Sequence, residues 1–464
     1  MAFFINRKEL TDPLSKSTIK RNLLYQRILP VSIYRRFDIQ GTNMQYVQHY
    51  QCTECGQKYT TESPMNLCPN DNRPVRVILD VEKVKHDFPD FSWYQPDEKS
   101  MWRFGPLMPF NKQKEPQSVV SLGEGYTPII DLSDFALCRD LGLTVYVKDE
   151  GQGYEGYGKN PTGSFKDRGM SMVATMAKHY QLDKLTVPTQ GNAGDSLTAY
   201  GISMGVDVAV VMPDDTPLNI MGSVAVAALK HEGISLDLVK GTIREAGEFM
   251  KQHYVPDGFF NCATFQEPGW RIEGKKTMGL ELAEPWPGIK ETWSLPDVIF
   301  YPTGGGTGIL GMWKAFDELE AIGAIDSRRP KIIAVQSENN TPIVHAFDNG
   351  LDDTVPTDGG DTIATGINVP GGVGHKAVLR ILRDSNGSAL AVSESAMASV
   401  SRDIFDQFKM WISPEGAACV AAVALAHEKG LVTEEDKIVC FNTGSAEKYL
   451  ANLHDIFMTK TLPA

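Results

Sequence analysis

The sequence predicts an α/β protein in which mostly parallel sheets are covered by helices on both faces. Its 464 residues are enough for more than one domain with its own core. From about residue 119 onward, short and almost wholly apolar runs alternate with helical stretches, which is typical of strands buried on both faces. We therefore expect two three-layer α/β/α domains with mostly parallel sheets, preceded by a small N-terminal ribbon-like element.

Six short runs rich in β-branched residues are predicted as the strands of these sheets. They cover residues 144–147, 184–187, 206–211, 298–301, 331–335 and 438–441. The Gly- and Asp-rich stretch 351–361 is expected to be an exposed loop.

Composition and charge exclude several classes of partner. A net charge of −13 and a pI near 5.3 argue against nucleic acid and anionic membranes as partners. No apolar run is long enough to span a bilayer, and the opening residues are too short for a signal-peptide core. Seven cysteines, an odd number, indicate reduced thiols, so we expect a cytoplasmic protein.

Two elements precede the α/β body. Residues 1–50 are expected to form an N-terminal extension that packs on the body or on a neighbouring subunit. Residues 51–82 have the spacing of a zinc ribbon whose second pair of ligands is incomplete, because an aspartate stands where the fourth cysteine belongs. A site of three cysteines and one aspartate is one interpretation, and a ribbon that has lost its metal is the favoured one. The four side chains are Cys52, Cys55, Cys68 and Asp71.

The segment 159–169, Lys-Asn-Pro-Thr-Gly-Ser-Phe-Lys-Asp-Arg-Gly, has the features of a reactive-lysine site. Ser164 is predicted to cap a helix that continues through the apolar run 170–177. Lys166 then lies in the first helical turn, where the unpaired N–H groups and the positive dipole end disfavour an ammonium. Such a place suits an amine that must be neutral part of the time, as a Schiff-base nucleophile must. The alternative is a lysine that simply extends to water.

Three loops that follow predicted strands could bind anions or a cofactor. Loop 189–196 contains Gly-Asn-Ala-Gly before a helix, where backbone can approach a ligand closely. Loop 304–308 has four glycines and a threonine, which allow several N–H groups to turn toward one point. Loop 442–448 begins Asn-Thr-Gly-Ser. Each could instead be an ordinary turn or helix start.

Together these segments resemble the fold-type II pyridoxal-phosphate (PLP) enzymes, and segment 161–169 is most similar to the threonine synthase branch. Segments 121–129, 270–277, 366–370 and 412–418 are similar to further motifs of the family in the same order. The resemblance covers roughly residues 119–450.

The resemblance implies PLP as the cofactor and assigns roles to individual residues. Lys166 would hold the cofactor covalently, Asn192 would bind its phenolic oxygen, and Thr443 would face its pyridine nitrogen. A hydroxyl there suits elimination and replacement better than transamination. The cofactor phosphate would be held by Gly304, Gly305, Gly306, Thr307 and Gly308. Substrate would be bound by Thr189, Gln190, Gly191, Ala193, Arg271 and Asn261.

The sequence also departs from the threonine synthase pattern. Ala193 stands where a hydroxyl residue commonly helps to bind the substrate phosphate, and Asn261-Cys262 replaces an asparagine-serine pair. Arg271 remains, and a guanidinium can hold a phosphate through two hydrogen bonds. We therefore expect a small amino-acid substrate that is phosphorylated, with the cofactor better defined than the substrate.

The function implied is that of threonine synthase, which converts O-phosphohomoserine and water to threonine and phosphate. The alternatives are β-replacement on O-phosphoserine, deamination of threonine or serine, and a regulatory relative without activity. The family also implies a homodimer. We expect a smaller α/β domain over residues 155–265 and a larger domain, which binds the cofactor phosphate, over 90–154 and 266–455.

Overall fold

A computed structural model describes most of the chain. The described residues are 44–216, 218–286, 288–450 and 453–454. Residues 1–43 of the predicted N-terminal extension lie outside this part. No helix among the described residues has the length and apolar composition needed to span a membrane.

The first described element is a small antiparallel sheet of three strands in the order β2-β1-β3. Its strands are β1 (Val47–Cys52), β2 (Lys58–Tyr59) and β3 (Val75–Leu79), and helix α1 (Val81–Asp87) follows. Tyr50 on β1 is fully buried, and its hydroxyl lies 2.7 Å from that of Tyr180. The indole N–H of Trp270 donates to the same hydroxyl at 3.3 Å, so buried polar contacts fix this sheet on the body.

The remaining α-helices and strands alternate along the chain except where α10 follows α9 and α12 follows α11. They are β4 (Ile129–Asp131), α2 (Ala136–Asp140), β5 (Thr144–Asp149), α3 (Lys166–His179), β6 (Lys184–Pro188), α4 (Asn192–Met204), β7 (Asp207–Pro213), α5 (Leu218–Lys230), β8 (Ile234–Val239), α6 (Ile243–His253), β9 (Phe260–Asn261), α7 (Trp270–Ala283), β10 (Val298–Pro302), α8 (Thr307–Ile322), β11 (Lys331–Ser337), α9 (Pro342–Asp348), α10 (His375–Asp384), β12 (Ser388–Val392), α11 (Glu394–Phe408), α12 (Pro414–Glu428) and β13 (Lys437–Asn442). Stretch 351–361 contains no helix or strand, as expected.

The larger sheet has six strands in the order β12-β11-β10-β13-β5-β4. All neighbours are parallel except β4, which pairs antiparallel with β5 at the edge. Alternate residues of a strand face opposite sides of a sheet. Ile299 and Tyr301 pack in the core that contains α7 and α8, whereas Val298 and Phe300 pack in the core that contains α12. Helices therefore cover both faces, as predicted.

The smaller sheet has four parallel strands in the order β8-β7-β6-β9. On β7, Val210 belongs to the core that includes α4, whereas Val211 packs against Ala246 and Met250 of α6. This sheet is therefore also the middle of three layers. It is drawn from residues 184–261, within the predicted smaller domain, although the domain boundaries themselves stay predictions.

The six predicted strands are all present, but the sequence missed β4, β8, β9 and β12. These four strands are short or lie at sheet edges. The apolar runs of central strands are easier to recognise, because both of their faces are buried. The parallel strands β6, β10 and β13 all end at loops that are predicted to bind a ligand, and these loops therefore lie at the carboxyl ends of the two sheets.

A fully buried network of charges connects the layers. The Arg168 guanidinium on α3 donates to both carboxylate oxygens of Glu150, at 2.7 and 2.9 Å, and to both of Glu281 on α7, at 2.6 and 2.8 Å. Lys148 on β5 lies 2.7 Å from Glu281, so two cations face two carboxylates. Helices α3 and α7 are in close contact here. A Cβ on Gly274 of α7 would lie only 1.9 Å from the Arg168 carbonyl oxygen on α3.

Replacing Arg168 with Met should lower the free energy of unfolding by about 3–5 kcal/mol, because it leaves Glu150 and Glu281 buried without their main partner. Urea unfolding of the cofactor-free chain would measure the change. The matched control is Arg328→Ala, which breaks an ion pair with Asp326 on the surface and should hardly change stability. Equal losses in both variants would contradict a central role for the network.

Candidate active site

The segment before Lys166 is held by backbone pairing with the loop that follows β13. The Phe165 N–H donates to the Thr443 carbonyl at 3.1 Å, and the Ser445 N–H donates to the Gly163 carbonyl at 2.8 Å. Helix α3 begins at Lys166, in the first turn as predicted, but the prediction that Ser164 caps it is wrong. Ser164 is part of this paired segment, and its buried hydroxyl has no partner among the described residues.

Asp167, the residue after Lys166, fixes the other side of the segment. Its carboxylate accepts hydrogen bonds from the Thr162 N–H and hydroxyl, both at 2.7 Å, and from the Ser196 hydroxyl on α4 at 2.6 Å. The side chains of Asp167 and Arg168 thus anchor the helix start to two different elements. This explains why a Lys-Asp-Arg sequence suits the position, since Lys166 alone is left to face the cavity.

Lys166 lies in a cavity of about 330 Å³ between the two sheets, within the size range of small-molecule sites. A second depression of about 510 Å³ shares Gln190, Thr365 and Asn368 with it, so the two form one continuous cleft. The predicted site residues that line the cavity are Lys166, Thr189, Gln190, Gly191, Asn192, Ala193, Arg271, Gly305 and Thr307.

The other predicted site residues lie beside the cavity and do not line it. Asn261 is on β9, and its side-chain oxygen accepts from the N–H of Ala263, a residue that does line the cavity. Thr443 is nearly buried and contacts the Lys166 segment through its carbonyl, as described above. Those that are near the cavity without lining it are Gly304, Gly306, Gly308, Thr443 and Asn261.

The glycine loop 304–308 requires residues without a side chain. A Cβ on Gly306 would lie 2.3 Å from Val378, and Gly306 has a φ of 83°, in the left-handed region that favours glycine. A Cβ on Gly308 would lie 2.0 Å from the Tyr301 hydroxyl. The loop ends at the N-terminus of α8, where unpaired N–H groups favour an anion.

His375 forms a hydrogen bond to the backbone of this loop and was missed by the sequence analysis. Burial lowers the pKa of its imidazole, which favours the neutral ring. Nε2–H then donates to the Gly304 carbonyl at 2.8 Å, and the Thr354 hydroxyl donates to Nδ1 at 2.9 Å. Because both ring nitrogens are occupied, the imidazole positions the loop rather than taking part in proton transfer.

The charges around Lys166 favour its neutral form. Burial, followed by the nearby charge of Arg271, lowers the pKa of Lys166 to about 7, although Glu415 opposes the shift. The Lys166 side chain is half-buried, and the exposed part of its surface faces the cavity. Glu415 is buried at the start of α12 and accepts from the Gly366 N–H at 2.7 Å.

A further basic side chain, Lys275, lies close to Lys166 and Arg271 and was also missed. It is fully buried on α7, one helical turn after Arg271, and its amino group donates to the Thr307 hydroxyl at 2.6 Å. Its nitrogen and that of Lys166 lie 4.8 and 4.6 Å from the centre of the Phe165 ring. Burial, and then the charges of Lys166 and Arg271, hold the pKa of Lys275 well below its usual value.

These residues fit pyridoxal 5'-phosphate. The site offers a lysine with a lowered pKa, a glycine loop at a helix N-terminus, and the buried Lys275 beside that loop. Buried polar atoms that have no partner among the described residues also face this region, namely Asn192 Oδ1 and Arg271 Nε. The basic side chains, the helix N-terminus and the guanidinium N–H therefore match an anionic, aromatic aldehyde with several oxygen atoms.

The fold and this cavity define a PLP-dependent enzyme of fold type II. A sequence model of the family described as "Pyridoxal-phosphate dependent enzyme" matches residues 120–444, and the chain belongs to this family. The diaminopropionate ammonia lyase of Escherichia coli has the same fold, with a TM-score of 0.60 and 17% identity over 80% of this chain and 95% of that protein.

Curated relatives are similar over nearly their whole length. The threonine synthase of Methanosarcina acetivorans is 29% identical over 85% of this chain and 91% of that protein. The threonine synthase of Methanocaldococcus jannaschii is 29% identical over 86% of this chain and 92% of that protein.

The lowered pKa of Lys166 predicts a pH-dependent stability. In the cofactor-free chain the folded state binds fewer protons than the unfolded state between pH about 7 and 10.5, so stability rises with pH across this window. Lys166→Met removes the buried charge and should be more stable than the wild type near pH 7, with the difference shrinking toward pH about 10. Denaturant unfolding at several pH values measures this difference. A difference that stays constant with pH would contradict the shift.

Proposed function

We propose that this enzyme converts O-phosphohomoserine and water to threonine and phosphate. The observation that carries the proposal is the Arg271 guanidinium, which is buried in the wall of the cavity that contains Lys166. The glycine loop 304–308 can hold one phosphate, and Arg271 can hold a second, which a phosphorylated substrate would supply. The threonine synthases that match over more than nine-tenths of their length support the same substrate.

We assign the cofactor-binding roles as the resemblance implies. Lys166 would hold the carbonyl carbon, Asn192 the phenolic oxygen, and Thr443 would face the pyridine nitrogen. The phosphate would be held by Gly304, Gly305, Gly306, Thr307 and Gly308, with Lys275 adding a cation through its contact with Thr307. When bound, the cofactor supplies an electron sink for negative charge that develops at the substrate Cα.

Lys166 is the residue we propose to move protons. With a pKa of about 7, its amine is neutral often enough to accept the Cα proton and is acidic enough to return it to a neighbouring carbon. Glu415 favours the protonated state of the same amine and so offsets part of the effect of burial and of Arg271 on its pKa.

Arg271 is proposed to bind the phosphate that leaves from the substrate Cγ. Its guanidinium is fixed, since one nitrogen donates to the Cys262 carbonyl at 3.1 Å and its backbone N–H donates to Glu267 at 3.2 Å. A fixed cation stabilises charge that develops as the C–O bond breaks without having to reorganise. The backbone of Thr189, Gln190, Gly191 and Ala193 would hold the substrate carboxylate at the start of α4.

Deamination of threonine or serine is the second candidate. Ala193 lines the cavity with a methyl group where a hydroxyl residue would help to bind a substrate phosphate. Loss of that contact would weaken binding of a phosphorylated substrate relative to an unphosphorylated one. β-Replacement on O-phosphoserine would use the same Arg271 contact with a shorter substrate.

We also propose that the enzyme is a cytoplasmic homodimer. All seven cysteines are free thiols, which agrees with a reducing compartment. The homodimer rests on the family resemblance.

Lys166→Ala should abolish the visible absorbance of the bound cofactor and all turnover, because no other side chain supplies that covalent link. Borohydride reduction of the wild type, followed by peptide mapping, should label Lys166. Lys275 is the nearest competing amine, so Lys275→Met serves as the control and should still be labelled at Lys166. Label on Lys275 in the wild type would contradict the assignment.

Arg271→Ala should reduce kcat/KM for O-phosphohomoserine by about 10- to 200-fold, which corresponds to the roughly 1.5–3 kcal/mol of a hydrogen bond to a charged group. Cofactor absorbance should stay intact, because the glycine loop does not depend on Arg271. The control is Arg103→Ala, since Arg103 is equally buried but bonds to Tyr94 and Glu284 outside the cavity. An equal loss on a phosphorylated and an unphosphorylated amino acid would place Arg271 in a structural role.

A further inference from the structure

The N-terminal ribbon contains two turns with the same backbone hydrogen bond. In the first, the Cys52 N–H donates to the carbonyl of Gln57 at 2.9 Å. In the second, the Cys68 N–H donates to the carbonyl of Arg73, also at 2.9 Å. Each bond joins a cysteine to the residue five positions later. The two turns therefore have the same length and the same closure, although their sequences differ.

The two turns also match in backbone conformation. Gly56 has a φ of 71°, and Asn72, which stands at the equivalent position, has a φ of 55°. Left-handed conformations are uncommon outside glycine, and asparagine is among the residues that adopt them most readily. By this correspondence Asp71 occupies in the second turn the place that Cys55 occupies in the first. The aspartate is therefore a substitution within an intact turn.

Two distances between the four side chains match the edges of a tetrahedral metal site. The sulfurs of Cys55 and Cys68 are 3.7 Å apart, and the sulfur of Cys52 lies 3.4 and 3.5 Å from the Asp71 carboxylate oxygens. With zinc–sulfur bonds of about 2.3 Å and zinc–oxygen bonds of about 2.0 Å, a tetrahedron has edges of about 3.8 Å between sulfurs and about 3.5 Å between sulfur and oxygen. All four ligand atoms lie within 4.8 Å of one another.

Neighbouring groups already orient the side chains for this role. The Arg73 N–H donates to an Asp71 carboxylate oxygen at 3.0 Å, and the Glu54 N–H donates to the Cys52 sulfur at 3.4 Å. The Tyr59 hydroxyl lies 3.0 Å from the Cys68 sulfur and can donate to a thiolate there. Metal sites use outer contacts of this kind to hold their ligands in place.

We propose that Cys52, Cys55, Cys68 and Asp71 bind one structural Zn²⁺ ion per chain. The sequence favoured a ribbon without metal because the fourth cysteine is missing. The matching turns and the tetrahedral distances favour the other interpretation. Three thiolates and one carboxylate in a tetrahedron suit zinc among the common divalent metals, and four protein ligands leave no position open for chemistry.

The metal would stabilise a loop that contacts the active site. Asn66, between the two turns, donates through its side-chain amide to the Asn261 carbonyl at 3.3 Å and to the Gln266 carbonyl. That segment leads to Arg271 on α7. Glu54 forms an ion pair with Lys376 of α10 at 2.8 Å. A metal that closes both turns therefore holds the ribbon against two elements that border the cavity.

Zinc content of the purified full-length enzyme, measured by mass spectrometry after passage over a chelating resin, should be one ion per chain. Exchange with Co²⁺ should give the visible absorption bands of tetrahedral cobalt. Sulfur-to-metal charge-transfer bands should appear at shorter wavelengths. Lys166→Ala should keep its zinc, which separates this result from any property of the cofactor site.

Two ligand variants and one control make the test specific. Cys55→Ser changes an exposed side chain, so it should fold, and Asp71→Asn keeps the shape of the carboxylate. Each should raise the zinc dissociation constant by more than about 100-fold, since even outer contacts of metal sites are worth about 10- to 100-fold. Glu54→Gln removes a carboxylate that lies in the same turn but contacts Lys376. This variant should bind zinc like the wild type.

Three results would overturn the proposal. The first is a folded wild-type enzyme that contains no zinc and takes up no Co²⁺. The second is a disulfide between Cys55 and Cys68 in the enzyme purified without reductant. The third is zinc that remains bound with unchanged affinity in both Cys55→Ser and Asp71→Asn.

Discussion

The buried guanidinium of Arg168 is the contact on which the arrangement of the active site depends. It joins α3, which begins at Lys166, to the carboxylates of Glu150 and Glu281 and thereby to α7. The charges of this network balance, because the two cations Lys148 and Arg168 face two carboxylates. Burial of such a network is tolerated only when each charge has its partners, so the relative position of α3 and α7 is strongly specified. That position places Arg271 and Lys275 beside Lys166.

At the cavity, basic side chains outnumber the buried carboxylates of Glu267 and Glu415 that act on them. Lys166, Arg271 and Lys275 lie beside the buried network, and burial lowers the pKa of all three. The charge of Arg271 lowers the pKa values of Lys166 and Lys275 further. Cations in such a place are stabilised by an anionic ligand, which explains why a site of this kind suits a cofactor phosphate together with a second, substrate-borne phosphate. Burial and the charge of Arg271 lower the pKa of Lys166 to about 7, where one amine could both accept and return a proton in the proposed reaction.

The sequence predicted the parts of this molecule that depend on local pattern. Apolar runs identified the central strands, and glycine-rich loops after β6 and β10 identified the ends of the sheets at which the cavity lies. Contacts between distant segments were not predictable in this way. The pairing of the Lys166 segment with Thr443 and Ser445 replaced the expected cap by Ser164. Lys275 lies four residues after Arg271, and that helical spacing was the available signal for it. The sequence placed Asp71 where the fourth cysteine belongs, but only the structure shows that this turn keeps the backbone conformation of the first.

In the proposed function, Lys166 and Arg271 together serve a phosphorylated amino acid whose phosphate leaves from Cγ. Product analysis of the holoenzyme, supplied separately with O-phosphohomoserine, O-phosphoserine and threonine, tests this function. We expect equal amounts of threonine and inorganic phosphate from O-phosphohomoserine, and kcat/KM values for the other two that are lower by orders of magnitude. Ammonia release from threonine at a comparable rate, with no phosphate released from O-phosphohomoserine, would contradict it.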